Sequence, residues 1–289
     1  MTASNEFRLK SLPSTPPMLL KAAITRKKPS STPIFPKQIL VVGNIKSNIK
    51  QLRRYNEACG FTESSLFLSP SFLHVQVFRL HMKLMLNKDF PVSPMGCLHL
   101  SNTIVQHRQI SSEEEVQLRC QVAEHHVTDK GYEFTFHCDA FCGDELVWED
   151  TSRYLSRART NIASAPKAAR AEPRNYLNSR TIEIKRSDAR QYARASGDFN
   201  PIHLHDLSAK VLGFKRMVIH GMWSKAACLA ALSDDVKSNA FRCHVDFKTP
   251  IFLPASVRLD YEQGESSLDF ELRDKTGVKP HLIGFIQPL

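Results

Sequence analysis

The 289 residues carry 42% hydrophobic and 24% charged side chains, values that exclude wholesale disorder and fibrous repeats. The length suits two folded units of about 100 to 150 residues each. The formal charge of +10 at pH 7 sits in two segments: residues 1–38 hold seven Lys or Arg against Glu6 alone, and residues 157–174 hold five against Glu172 alone.

The rest of the chain is therefore about neutral, and the excess charge reads as a solvated tail and linker. Those segments leave room for steering a phosphate-bearing substrate. They do not interleave aromatics with charge and carry no recognition motif, so nucleic acid is not an expected partner. No apolar run approaches the roughly 18 to 20 residues of a spanning helix, so no integral membrane segment is expected. Met18, Leu19 and Leu20 are hemmed by prolines and lysines, unlike a secretory signal. Seven cysteines, odd in number and scattered through apolar stretches, fit a reducing compartment. A cytoplasmic protein is expected. His137, Cys138 and Cys142 form the one tempting metal cluster, but in a strand-like pattern without a second ligand pair, so neither metal nor cofactor is expected.

In chain order, residues 1–38 form a basic, Pro/Ser-rich extension, read as mobile apart from a stretch at 18–24 that could pack. A first domain is expected over 39–156, a basic linker over 157–177 and a second domain over 178–289. The halves show a weak internal repeat. Tyr55, Ala58 and Gly60 match Tyr192, Ala195 and Gly197 in offset, and further on His74 falls opposite His220 in stretches that read as helices of about four turns. Tyr55 and His74 lie 19 positions apart and Tyr192 and His220 lie 28 apart, so the second copy holds nine more residues. Alternating runs follow each helix, at 97–105, 115–123, 132–138 and 145–150, then at 241–247, 256–262, 267–273 and 281–286. Each half thus reads as a strand, a helix and an antiparallel meander, an α+β arrangement.

The segment 195–214, ASGDFNPIHLHDLSAKVLGF, is unlike the rest. Gly197, Asn200 and Pro201 break a helix beginning near Ser187, the Asn-Pro step forcing the chain out of the α region. Asp198 and His203 are then presented from an irregular loop. A carboxylate and an imidazole aimed at one point can hold a water for general acid-base work. Burial would raise the Asp198 pKa and a nearby imidazolium would oppose it, so the net direction stays open. The plainer reading is that Asp198 caps a helix started by Pro201, with Asn200 in a turn and His203 packing at the surface.

The string Tyr192, Ala193, Ser196, Gly197, Asp198, Asn200, Pro201, His203, followed by Gly213, Phe214, His220, Gly221 and Met222, resembles the signature of the MaoC-like R-specific enoyl thioester hydratases and dehydratases. The resemblance is tight over about thirty residues and looser over the rest of the second half. It implies two tandem hot-dog domains, each a long helix wrapped by antiparallel sheet. It also implies catalysis by Asp198 and His203, supported by Asn200, Ser196 and Gly221. The substrate would lie against His220, Gly221, Met222 and Phe214, its thioester carbonyl near the helix start at His220, where free N–H groups favour developing negative charge.

The implied reaction is reversible hydration of trans-2-enoyl thioesters to R-3-hydroxyacyl thioesters. The implied substrate is an acyl-CoA or acyl-carrier-protein thioester. A carrier-devoted dehydratase and a non-catalytic acyl-binding partner are the alternatives. The first half departs from the pattern, with Phe61 where Asp198 would fall and no Asn-Pro-x-His, so it is expected to be catalytically silent. It would replace the second subunit of a two-hot-dog dimer and leave room for acyl chains longer than C4. The whole would be a monomer of two hot dogs or a homodimer. His74, His81, His125, His126 and Trp223 are read as structural or surface residues, and His205 and Asp206 as the end of the loop.

Overall fold

Strands and helices fill a computed structural model that describes residues 5–27, 33–62, 66–164, 174–236 and 238–289. The first half runs β1 (Glu6–Leu9), α1 (Thr15–Ile24), β2 (Ile39–Lys46), α2 (Ile49–Cys59), α3 (Phe72–Met85), β3 (Leu98–Gln106), β4 (Glu115–Thr128), β5 (Gly131–Cys142) and β6 (Glu145–Arg157). The second runs β7 (Asn178–Ile184), α4 (Arg186–Ser196), a 3-10 turn (Pro201–His203), α5 (Asp206–Val211), α6 (Gly221–Ala231), β8 (Phe241–Phe247), β9 (Ala255–Gln263), β10 (Leu268–Asp274) and β11 (Pro280–Pro288). No described helix is long and apolar enough to cross a membrane.

Setting aside β1, which adds in parallel at the outer edge of β2, the five strands of the first half lie in the order β2-β4-β5-β6-β3, and the five of the second in the order β7-β9-β10-β11-β8. Numbered within its own half, each is 1-3-4-5-2. The expected simple meander is thus corrected in both copies, because the second strand crosses over to pair beside the fifth. The shared order makes the chain an α+β, double hot-dog protein. Local chemistry repeats as well. Helices α2 and α4 have 11 residues each and end on glycines in the left-handed region, Gly60 at φ +82° and Gly197 at φ +78°, a conformation in which Gly carries no Cβ penalty.

The chain clusters into two compact units that interleave along the sequence: Met1–Lys46, Leu73–Asn102 and Glu114–Glu172 in one, Ser47–Phe72, Thr103–Glu113 and Pro173–Leu289 in the other. Helix α2 therefore belongs with α4 and α6. Its Tyr55 ring lies 5.8 Å from that of Tyr192, Gln51 Nε2 donates to the Ala195 carbonyl at 2.7 Å, and Trp223 Nε1 donates to the Ala58 carbonyl at 2.6 Å.

In the first unit the N-terminal extension is more ordered than its composition suggests. Strand β1 pairs in parallel with β2, Glu6 opposite Ile39 through Leu9 opposite Val42. Arg119 Nη2 reaches Glu6 Oε1 at 2.6 Å. Helix α1 buries Met18 and Ala22, and Lys27 donates to the carbonyls of Met85, Asn87 and Phe90 beyond it. Strand pairing and a lysine that bridges three backbone carbonyls override a polar, Pro-rich composition. The remainder of the extension at 1–4 and 28–32, and the linker at 165–173, lie outside the described residues.

The core of this unit includes Phe90, Phe134, Phe136 and Trp148. Inside it sits a hydrogen-bonded polar cluster around Asp150. His74 Nδ1 donates to Asp150 Oδ2 at 2.8 Å, Asn102 Nδ2 to the same oxygen at 2.7 Å, and Ser152 Oγ to Asp150 Oδ1 at 2.7 Å. Burial pushes the Asp150 carboxyl up, but His74, His81 and the hydrogen bonds outweigh it and hold the group well below the usual carboxylate range. His74 and His81 are thus structural, as expected, while His125 and His126 lie exposed on β4.

Candidate active site

Helix α4 ends where its last N–H bond closes, Gly197 N–H to the Ala193 carbonyl at 2.8 Å. A staircase of side-chain turns follows. Ser196 Oγ accepts from Asp198 N at 3.2 Å, Asp198 Oδ1 from Asn200 N at 3.2 Å, and Asn200 Oδ1 from Ile202 N at 3.4 Å. Each short polar side chain bonds the backbone two residues on, the geometry that gives Ser, Asp and Asn their preference for turns. Pro201 then opens the 3-10 turn with Asn200 as its N-cap. The plainer reading of this segment is therefore partly right about capping, with Asn200 rather than Asp198 as the cap. It misplaces His203, which is buried at 8% exposure.

Two bonds lock that turn against the segment 217–219. Val218 N–H donates to the Ile202 carbonyl at 3.1 Å, and His203 Nδ1 donates to the Val218 carbonyl at 2.8 Å. The segment is itself pinned by Ile219 N–H to the Ile251 carbonyl at 3.1 Å and Leu253 N–H to the Met217 carbonyl at 3.0 Å. With Nδ1 protonated toward a carbonyl, the neutral His203 ring carries its lone pair on Nε2.

His220 is the N-cap of α6 by backbone position, yet its side chain makes no cap bond. It turns back instead. Its Nε2 donates to the Asp198 carbonyl at 3.0 Å, lies 3.9 Å from Asp198 Oδ2, and its ring stacks on His203 with centroids 3.6 Å apart. Tyr192 flanks the His220 ring, with centroids 4.8 Å apart. Burial lowers the His203 pKa, against the pull of Asp198 and the Val218 carbonyl. Burial, then the neighbouring His203, push His220 well below the usual imidazole range. Both rings are therefore neutral at pH 7.

One ligand atom from each of Asp198, His203 and His220 falls within 4.8 Å of the others. Such a set could span a metal ion, as could two further clusters, His81 with Cys120 and Cys138, and His137 with Asp139 and Glu149. In both of those the donors are engaged with each other, His81 Nε2 with Cys138 Sγ at 3.2 Å and His137 Nε2 with Asp139 at 2.9 Å. Cys138 and His137 alternate along β5, so the cluster suspected from sequence is split between two sets of partners.

The loop thus gathers Ser196, Asp198, Asn200, His203 and His220 in one place. Gly221 and Met222 form the first turn of α6, whose opening N–H groups have no intrahelical acceptor. Gly221 serves a packing need the sequence did not show: a Cβ there would meet the Phe247 ring at 3.1 Å. Phe214 is half-buried beyond α5, its N–H bonding the Ala209 carbonyl at 2.9 Å. No hydrogen bond or ring contact joins Phe214 to Asp198 or His203 among the described residues. His205 and Asp206 finish the loop as expected, His205 capping α5 and Asp206 accepting from Met217 N–H at 2.9 Å. The Val218 carbonyl, which fixes the His203 tautomer, was missed, because a backbone acceptor fifteen residues away leaves no signal in side-chain identity.

Comparison with known proteins adds three findings. A family profile described as "MaoC like domain" matches residues 167–282. The 3-hydroxyacyl-thioester dehydratase X of Mycobacterium tuberculosis is 30% identical over 209 residues, 72% of this chain and 74% of that one. Among solved structures, HtdX of M. tuberculosis superposes with a TM-score of 0.76 at 26% identity, covering 86% of this chain and 99% of that one. A MaoC-like dehydratase from Phytophthora capsici superposes with a TM-score of 0.71 at 18% identity, covering 88% and 96%.

Proposed function

This chain belongs to the MaoC-like family of acyl-thioester hydratases and dehydratases, and we propose that Asp198 and His203 are the pair that handles water in its reaction. The chain is a hydro-lyase acting on acyl thioesters. The finer reading is reversible hydration of a trans-2-enoyl thioester to the R-3-hydroxyacyl product. Its chief support is the His203 ring, buried and held neutral, with Nδ1 tied to the Val218 carbonyl and one ring nitrogen within 4.8 Å of an Asp198 carboxylate oxygen.

In the hydration direction a water held by Asp198 and His203 attacks C3, and His203 Nε2 takes one of its protons as the C3–O bond forms. The C2–C3 π electrons move toward the thioester carbonyl, whose growing negative charge faces the first N–H groups of α6. A proton returned by the pair to C2 completes the addition of one water. Asn200 and Ser196 act indirectly, because their oxygens fix the backbone that carries Asp198 and the 3-10 turn. In the first half Phe61 stands in the Asp198 position, against the Tyr55 ring at 6.4 Å, so that position supplies no carboxylate.

The test is an absorbance assay with crotonyl and longer enoyl thioesters, with product chirality determined. Asp198→Asn and His203→Ala should each lower turnover by about a hundredfold or more while circular dichroism stays unchanged. Near-normal turnover in either variant, or an S product, would contradict the assignment. Tolerance of acyl chains beyond C4 is the expected profile.

A further inference from the structure

The extra residues of the second half build more than the loop carrying Asp198 and His203. Residues 206–217 leave as α5 and return in a tight excursion, closed by Met217 N–H to Asp206 Oδ1 at 2.9 Å and by Phe214 N–H to the Ala209 carbonyl at 2.9 Å. On it Leu207, Val211 and Leu212 are 68%, 80% and 45% exposed. Leu207 and Val211 stand four apart on α5 and so share one face. Phe199, on the loop just before the 3-10 turn, is also exposed. Scattered exposed leucines need no explanation, but a cluster of aliphatic side chains on one short element marks a surface that is covered in use.

Cations surround this strip. Lys210, Lys215 and Arg216 are exposed on the excursion itself. Arg186 and Arg190 of α4 line, with His205, Asp206 and Met217, a depression of about 270 Å³ beside it. Arg186 is neutralised by Asp206 at 2.8 Å. Among the described residues, Arg190, Lys210, Lys215 and Arg216 make no ion pair. The face is therefore aliphatic at its centre and positive at its rim, the anatomy of a protein-docking patch with a charge preference.

We propose that this face docks an acidic, amphipathic helix of an acyl carrier protein, which presents the thioester to the loop. The proposal rests on the hydratase reading above and names the form in which its substrate arrives. The aliphatic strip decides between the candidates. A nucleotide phosphate would be satisfied by the cations alone and would leave Leu207, Val211 and Leu212 in water. A second copy of the same face would set like charges against each other. An acidic helix with an apolar stripe covers both features at once. Its place in the chain is also apt, since the excursion begins three residues after His203 and ends beside Val218, whose carbonyl holds the His203 ring.

The experiment offers crotonyl on an acidic type II acyl carrier protein, on CoA and on N-acetylcysteamine to the full chain and to Lys210→Glu, Val211→Ser and the double variant Leu207→Ser/Lys210→Glu. Each variant should lose about tenfold or more of kcat/KM on the carrier thioester while staying within about twofold on the N-acetylcysteamine thioester. Added salt should weaken the carrier reaction of the parent chain alone. Binding of fluorescently labelled holo-carrier, read by anisotropy, should weaken in parallel. That readout needs no turnover, so a chain that binds the carrier but hydrates nothing would defeat the hydratase reading and leave docking intact. Docking is overturned if carrier and N-acetylcysteamine rates fall together, if no variant alters the carrier rate, or if the loss is confined to CoA. It is likewise overturned if the variants lose phosphatidylglycerol-vesicle binding or self-association and keep carrier binding.

Discussion

His203 and His220 stack with ring centroids 3.6 Å apart, and each commits one protonated nitrogen to a backbone carbonyl, His203 Nδ1 to Val218 and His220 Nε2 to Asp198. The two carbonyl bonds fix both tautomers, while burial disfavours a second proton on either ring. Burial lowers the His203 pKa from 6.5, so the base form that the proposed mechanism uses persists below neutrality. The acid limb of kcat/KM on an enoyl thioester should therefore have its midpoint below 6.5. A pH–rate profile checks this, and a midpoint at or above the ordinary imidazole value would remove His203 as the buried base.

The same shifts set the pH dependence of stability. His203 and His220 have lowered pKa values and His81 is lowered to about 3, chiefly by burial. Below pH 6.5 the unfolded chain binds protons that the folded chain refuses, so stability falls as pH drops from there toward the lowered values. Asp150 works in the same direction at still lower pH. Its depressed carboxyl contributes stability above the unfolded value of 3.8, lost as pH falls through its folded value. Urea midpoints should decline between about pH 7 and about pH 4, and a flat or rising series would contradict the burial of neutral imidazoles.

His220→Phe separates the two jobs of that ring. Phenylalanine keeps a flat ring against His203 but cannot donate to the Asp198 carbonyl, so Asp198 loses its tether to the start of α6. Misplacing a reacting carboxylate by about 1 Å can cost roughly a hundredfold. The expected result is a fall in kcat of between about tenfold and a hundredfold with KM little changed. A rise in KM with kcat preserved would instead assign His220 to substrate binding alone.

In the first unit, Asp150→Ala removes one partner of a buried pair and strands His74, Asn102 and Ser152 without their shared acceptor. Breaking such a pair costs about 3–5 kcal/mol, measurable as a lowered urea midpoint. His74→Ala strands the carboxylate and should cost a similar amount. A loss in either variant no larger than that of an ordinary surface substitution would mean that the cluster does not hold the unit together.

How much of this was legible in the sequence follows from where each signal is written. The helix break at Gly197, Asn200 and Pro201 and the alternation that makes β8 and β10 are local, and both were readable. The strand order was not, because crossing the second strand beside the fifth depends on pairing between distant segments. Nor was the membership of α2, which is decided by Gln51, Tyr55 and Ala58 meeting residues more than a hundred positions on. At the site, Asp198 and His203 stood out through the resemblance of the string around them to a family signature, since their type and spacing alone left a capping and surface reading open. The Val218 carbonyl and the fold-back of His220 are three-dimensional facts with no residue-type signature.

Gly221 carries two explanations, and one double substitution tells them apart. Its missing side chain could let substrate approach the N–H groups of α6, or it could only admit the Phe247 ring, which a Cβ would meet at 3.1 Å. Gly221→Ala overpacks that contact at a cost of about 1–3 kcal/mol and should also lower turnover. Adding Phe247→Leu removes the atoms that the new methyl would strike, so stability should return toward that of the parent chain. If turnover stays low in the stable double variant, the glycine is needed by the substrate. If turnover returns with stability, its role is confined to packing α6 against β8, and the helix N-terminus must receive the thioester without help from this position.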